Sequence, residues 1–186
     1  SHAIIEDGLR ILANLTHRGA VGADPKAGDG AGILIQIPDG FFRAECTALG
    51  FDLPAVGDYG VGMIFFPDHR EQRLQFEKII ETIVKEEGQQ CLGWRKVPTD
   101  NLYIGDTAKD SEPFVRQVFI GRSAELQDEL AFERKLYVIR RRAENAIRYA
   151  GLPGGDFFYV PSLSSRTLIY KGMLTPRQVA DFYPDL

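Results

Sequence analysis

With 186 residues, 44% of them hydrophobic and 26% charged, the chain is long enough for one large domain and apolar enough to bury a core. Its net charge of −4 argues against a nucleic-acid partner, and two cysteines, Cys46 and Cys91, cannot build a disulfide framework. No apolar run is long enough to cross a bilayer and no basic-then-apolar leader opens the chain, so neither a membrane partner nor secretion is expected. The chain opens Ser1-His2 without Met, which reads as the start of a cut piece.

Ile5, Leu9, Leu12 and Leu15 recur at helical spacing, predicting an amphipathic helix over 3–16 that ends near Gly19. Residues 19–32 hold Gly19, Gly22, Gly28, Gly30 and Gly32 with Pro25, so this stretch is a loop with several positions at positive φ. Ile33–Ile37, closed by Pro38, predicts a buried strand, and a short helix is expected around Phe42–Leu49. Val61–Phe66 is a second buried strand, stopped by Pro67. Asp68, with Glu71 three residues on, predicts a capped helix that Gly88 ends, with Leu74, Ile80, Ile83 and Val84 on its buried stripe. Strands follow at Cys91–Val97, Val115–Ile120, Phe157–Val160 and Thr167–Tyr170. The longest helix is expected over about 125–150. Leu126, Leu130, Leu136, Tyr137, Ala143, Ile147 and Ala150 line one face of it, and Gly151 and Pro153 end it. The whole reads as one α+β domain.

The glycine cluster is not a phosphate loop. A Walker loop needs Lys and Ser or Thr directly after its second glycine, and neither stands there. A dinucleotide site needs strand, glycines, helix, whereas the order here is helix, glycines, strand. Two readings remain: a connection that packs backbone on backbone, or a loop that approaches a small ligand or a nucleophile. His17-Arg18 at the end of the first helix complements the helix dipole, or else Arg18 organises an anionic or polar site beside the glycines. Cys46 and Cys91 lie in apolar settings and read as buried structural thiols. The three histidines and two cysteines show no metal-ligand spacing, so no metal is expected. Arg140, Arg141 and Arg142 span about 200° of a helix. Arg141 and Arg142 are expected in solvent; Arg140, near the apolar stripe, could pair with a buried carboxylate or a neighbouring domain.

Several segments resemble the amidotransferase domain of glutamate synthase large chains. They are Glu6-Asp7-Gly8-Leu9, then Leu15-Thr16-His17-Arg18-Gly19-Ala20-Val21-Gly22-Ala23-Asp24-Pro25, and Gly28-Asp29-Gly30-Ala31-Gly32-Ile33-Leu34. Arg116–Arg122 and Ser162–Gly172 match the same family, and the likeness runs in order over nearly the whole chain. The His-Arg-Gly and Gly-Asp-Gly-Ala-Gly elements are also similar to those of other class II glutamine amidotransferases. The resemblance implies an N-terminal-nucleophile fold: a four-layer αββα sandwich, incomplete in this chain.

In that family an N-terminal Cys attacks the glutamine amide with its own α-amino group as base. An Asn-Gly pair supplies the oxyanion hole, and a downstream Arg holds the substrate carboxylate. The released ammonia passes to a flavin-containing domain, where 2-oxoglutarate becomes glutamate. Against that pattern, residues 1–186 read as a partial domain, without the nucleophile at one end and without clamp and oxyanion hole at the other. Arg18, Gly19, Asp29 and Gly30 then map onto site-lining elements in a supporting role. The chain alone is expected to be inactive. L-glutamine is the implied ligand of the complete domain. The other synthase domains, and a small electron-donating subunit, are the implied partners. FMN, an iron–sulfur cluster and NAD(P)H or ferredoxin are implied for the whole protein and for no residue here. The implied compartment is the cytoplasm, or the plastid stroma in a photosynthetic eukaryote. The rival reading is a stand-alone binding or regulatory module that kept the fold and lost the chemistry.

Overall fold

The structure is a computed structural model that describes residues 2–15, 28 and 30–186. Among the described residues the α-helices and strands run in the order α1 (His2–Asn14), β1 (Ala31–Gln36), α2 (Asp39–Ala48), β2 (Tyr59–Phe66), α3 (Arg70–Glu86) and β3 (Gln90–Lys96). Then come α4 (Asp106–Asp110), β4 (Phe114–Gly121), α5 (Glu129–Glu144), β5 (Tyr159–Ser164), β6 (Thr167–Gly172) and α6 (Gln178–Phe182). A π-helical turn, Asn145–Tyr149, continues α5. The chain divides into two compact units, one of residues 1–35, 97–112 and 169–186 and one of residues 36–96 and 113–168.

The second unit is built on a four-stranded antiparallel sheet ordered β3-β4-β2-β5. All eight residues of β2 are buried, which is why Val61–Phe66 reads as an unbroken apolar run rather than an alternating one. The even-numbered positions of β2 and β4 (Ile64, Phe66, Val118 and Ile120) share a core with α3 and α5. From α3 this core takes Phe76, Ile80, Ile83 and Val84, and from α5 Phe132, Leu136, Ile139 and Ala143. Phe119 points to the opposite face, where Phe42 of α2 meets it edge-on at 5.2 Å and Phe51 lies at 5.6 Å. Arg95 of β3 is 4% exposed and stays charged on that face because Glu45 of α2 takes its Nε and Nη2 at 2.8 Å, while Gln117 Oε1 accepts from Nη1 at 3.1 Å.

The helix ends differ in part from expectation. Asp68 does not cap α3: the residue before the helix is His69, which makes no side-chain cap bond. Arg73 instead donates to the Asp68 carbonyl at 2.9 Å, and the Asp68 carboxylate is left in solvent. Asp128 does cap α5, accepting from Ala131 N at 2.6 Å, so the helix starts four residues after the expected 125. Gly88 and Gly151 both take positive φ at helix ends, as expected. Leu74, Leu130 and Tyr137, expected on buried stripes, are exposed, and Ala150 is exposed too. Phe132 and Ile139 hold the inner face of α5 instead.

In the first unit, β1 and β6 form a two-stranded sheet. Having one partner, β1 is not the buried strand its composition suggests: Leu34 and Gln36 are exposed and its other residues half-buried. Ile5, Leu9 and Leu12 of α1 are half-buried and Leu15 is exposed. The tight packing of this unit lies near the end of the chain. There Tyr170 and Tyr183 meet edge-on at 5.0 Å, beside Phe182 and with Val179 fully buried.

Candidate functional site

Arg18, Gly19 and Asp29 lie outside the described residues, as do His17, Gly22 and Pro25. Gly30 is described, with φ +129, a conformation that L side chains rarely adopt. Its flanking glycines explain what the cluster does locally. A Cβ on Gly28 would stand 2.2 Å from the Leu174 carbonyl oxygen, and one on Gly32 would stand 2.5 Å from Lys171 Cβ and 2.6 Å from the Tyr170 oxygen. The described glycines therefore lie backbone to backbone on a ledge formed by residues 170–175.

That ledge is fixed from beneath. Tyr183 Oη donates to the Lys171 carbonyl at 2.8 Å, and Tyr170 Oη donates to Asp185 Oδ2 at 3.0 Å. Gln178 Oε1 accepts from Thr175 N at 2.8 Å while its Nε2 donates to the Tyr103 carbonyl. Burial, with the Glu112 charge second, raises the Tyr183 hydroxyl well above an ordinary phenol, so it stays a proton donor to Lys171. Gly28 and Gly32 thus meet a hydrogen-bonded backbone surface, and the packing reading of these two glycines is the one the geometry carries.

Neither described thiol is poised for attack. Burial pushes Cys46 up to about 12, with the Arg95 charge only partly offsetting it. Burial, then the Glu81 charge, pushes Cys91 up to about 11. Two cysteines do not fit the four thiolates of a typical iron–sulfur cluster. Among the described residues no group of three His, Cys, Asp or Glu side chains could hold a metal ion.

A separate polar cavity of about 400 Å³ in the second unit is lined by Gln36, Asp39, Tyr59, Glu129, Ser165 and Arg166, among others. Asp39 accepts from Arg43 Nε and from Tyr59 Oη, both at 2.9 Å. The Arg43 hydrogen bond, aided by that of Tyr59, holds its carboxyl below the usual range against a smaller effect of burial. Tyr59 is raised, by burial first and then by Asp39. With the carboxylate held ionised and the phenol held protonated, Asp39 and Tyr59 are poorly matched to exchange a proton and do not form an acid–base pair. Sequence reading gave no sign of it, because its residues come from four stretches of chain.

Arg140 has the buried partner that its place near the apolar stripe allows: its Nε donates to Glu144 Oε1 at 3.1 Å, and Glu144 is 5% exposed. Arg141 also binds Glu144, and Arg142 binds Glu86 and Glu87 of the α3 end, so neither is simply solvated.

A helix, a glycine segment folded onto a backbone ledge, and antiparallel sheets with helices packed on them agree with the family match. Residues 1–186 match the model of the class II glutamine amidotransferases throughout, and the chain belongs to that family. It is 53% identical over its full length to the glutamate synthase [NADPH] large chain of Bacillus subtilis, of which it covers 12%. It is 40% identical over 195 aligned residues to the glutamate synthase [NADH] of Saccharomyces cerevisiae, covering 9% of it. With the ferredoxin-dependent glutamate synthase of Pyropia yezoensis it shares 38% over 189 residues and covers 12%. The chain thus spans about a tenth of the curated relatives it matches. No helix among the described residues is long and apolar enough to cross a membrane.

Proposed function

We propose that residues 1–186 are a segment of the glutaminase domain of a glutamate synthase, which releases ammonia from L-glutamine for the reductive amination of 2-oxoglutarate. The carrying observation is the match to the amidotransferase family across all 186 residues, with relatives that are glutamate synthases of three electron-donor types. On this reading the nucleophilic Cys, the carboxylate clamp and the oxyanion hole lie outside residues 1–186. Cys46 and Cys91 support it, since raised thiols cannot substitute for the nucleophile. The four-layer αββα sandwich is completed by chain outside this segment.

Within the segment, Arg18, Gly19, Asp29 and Gly30 are assigned a supporting role at the glutamine site. Gly28 and Gly32 anchor the loop on the 170–175 ledge, so the backbone of Gly30 between them is presented at a fixed height. FMN, the iron–sulfur cluster and the electron donor act elsewhere in the same polypeptide or on a small electron-donating subunit. A glutaminase assay on residues 1–186 beside a chain extended at both ends tests the reading. The extended chain is expected to release ammonia and the segment none; equal activity would overturn it.

A further inference from the structure

The outer face of α5 is the surface that the fold leaves unexplained. A surface helix usually buries one apolar stripe and turns a charged face to water. The inner face of α5 is complete without help: Phe132, Leu136, Ile139 and Ala143 are buried there. Yet Leu130, Arg134, Tyr137, Val138, Arg141 and Asn145 recur at helical spacing on the opposite side, and all are exposed. Leu130 is 57% and Tyr137 61% exposed, and Tyr149 on the following turn is 65% exposed. Residues 130–145 extend about 22 Å along the helix. Tyr and Arg without Lys or Glu is the make-up of an interface core rather than of a solvated face. Beside the stripe, Asn145 also borders a cavity of about 730 Å³ between α3 and α5, with Ile79, Ile83 and Ala146 in its lining. Lys78, Glu86 and Arg142 also line this recess, so its wall is apolar and charged by turns.

Charge decides between the possible occupants. Arg134 makes no hydrogen bond or ion pair among the described residues, and Arg141 shares Glu144 with Arg140. A second copy packed antiparallel about Tyr137–Val138 would set Arg134 against the Arg141 of that copy. A parallel copy would set each arginine against itself. Both arrangements bring like charges together in an apolar contact, which disfavours a second copy as the occupant. A surface with carboxylates flanking apolar side chains would meet the stripe without that cost. The relatives that the chain matches are roughly eight to eleven times longer than the match.

We propose that the outer face of α5, with the α3–α5 recess, docks an apolar, carboxylate-bearing segment of the same polypeptide outside residues 1–186. This rests on the reading of the chain as a segment of a long synthase. Leu130→Cys and Tyr137→Cys, made separately in the full-length polypeptide, test it by maleimide labelling against Val56→Cys at an exposed turn, with the parent protein as background. Both stripe thiols are expected to label at least about tenfold more slowly than position 56 in the native protein and equally fast in denaturant. A photoreactive side chain at position 137 is expected to cross-link to an Asp- or Glu-bearing segment outside residues 1–186 of the same chain. Labelling at both sites as fast as at position 56, or cross-links to residues 1–186 of a second copy, would overturn the assignment. Glutaminase activity of the parent polypeptide is read separately, so its absence would sink the proposed function while a protected stripe still upholds the docking face.

Discussion

Gly32 shows how far a single missing side chain reaches. Its Cβ would collide with both Lys171 Cβ and the Tyr170 oxygen, and those atoms cannot yield, because Tyr183 pins the Lys171 carbonyl and Tyr170 is buried against Tyr183. Gly32→Ala is therefore expected to destabilise the chain by about 1–3 kcal/mol, as overpacking against fixed backbone does. Gly40→Ala is the control, since nothing stands within 4 Å of its would-be Cβ. Denaturant melts of the two variants check this, and equal midpoints would refute the ledge. That the glycines pack backbone on backbone was legible in the sequence as one of two readings. Which atoms they meet was not, because Tyr170–Thr175 lies some 140 residues away in sequence. The same distance hid Arg95: a lone arginine in a strand gives no hint that Glu45 and Gln117 will enclose it.

Element by element, the apolar runs fell on all six strands, though β5 only in part: it was expected at Phe157–Val160 and is Tyr159–Ser164, running on through Pro161. Facing was harder. α5 carries apolar residues on two sides, so Leu130 and Tyr137 fit a helical stripe as well as Phe132 and Ile139 do, and only packing chooses between them. The link between α3 and α5 was also invisible, although it is strongly built. Glu87 accepts from Lys135 Nζ and Arg142 Nη1, both at 2.8 Å, and these two hydrogen bonds hold its carboxyl below the ordinary value of 4.5 against the effect of burial. A carboxylate whose folded value is lowered stabilises the fold fully above its unfolded value and ceases to as pH falls through the folded one. Glu87→Gln should thus lower the melting temperature by about 2–4 °C at neutral pH. That gap is expected to close on acidification below 4.5. A gap that does not change with pH would mean that Glu87 acts through packing and not through charge.

For the whole molecule, the division into two compact units implies unequal resistance to opening. In the second unit, β2 is paired on both edges and buried along its entire length, with α3 and α5 closing one face of the sheet. In the first unit, β1 and β6 have only each other among the described strands, and β1 is no more than half-buried. Two strands alone are marginal in water, so this ribbon depends on the tyrosine packing near the end of the chain. Opening free energies follow buried apolar contact and shared hydrogen bonds, and segments that line binding sites come from the weaker end of that range. Gly28, Gly30 and Gly32, packed against residues 170–175, belong to the weaker unit. Amide exchange of residues 1–186 should therefore be at least about tenfold faster across Ala31–Ile35 and Ile169–Gly172 than across Val61–Phe66. Addition of the missing parts of the polypeptide should slow the first two segments and leave Val61–Phe66 nearly unchanged, since that strand already has all its neighbours. Equal protection in the isolated chain would mean that it opens as one cooperative block, and that the glycine segment is as firmly held as the core sheet.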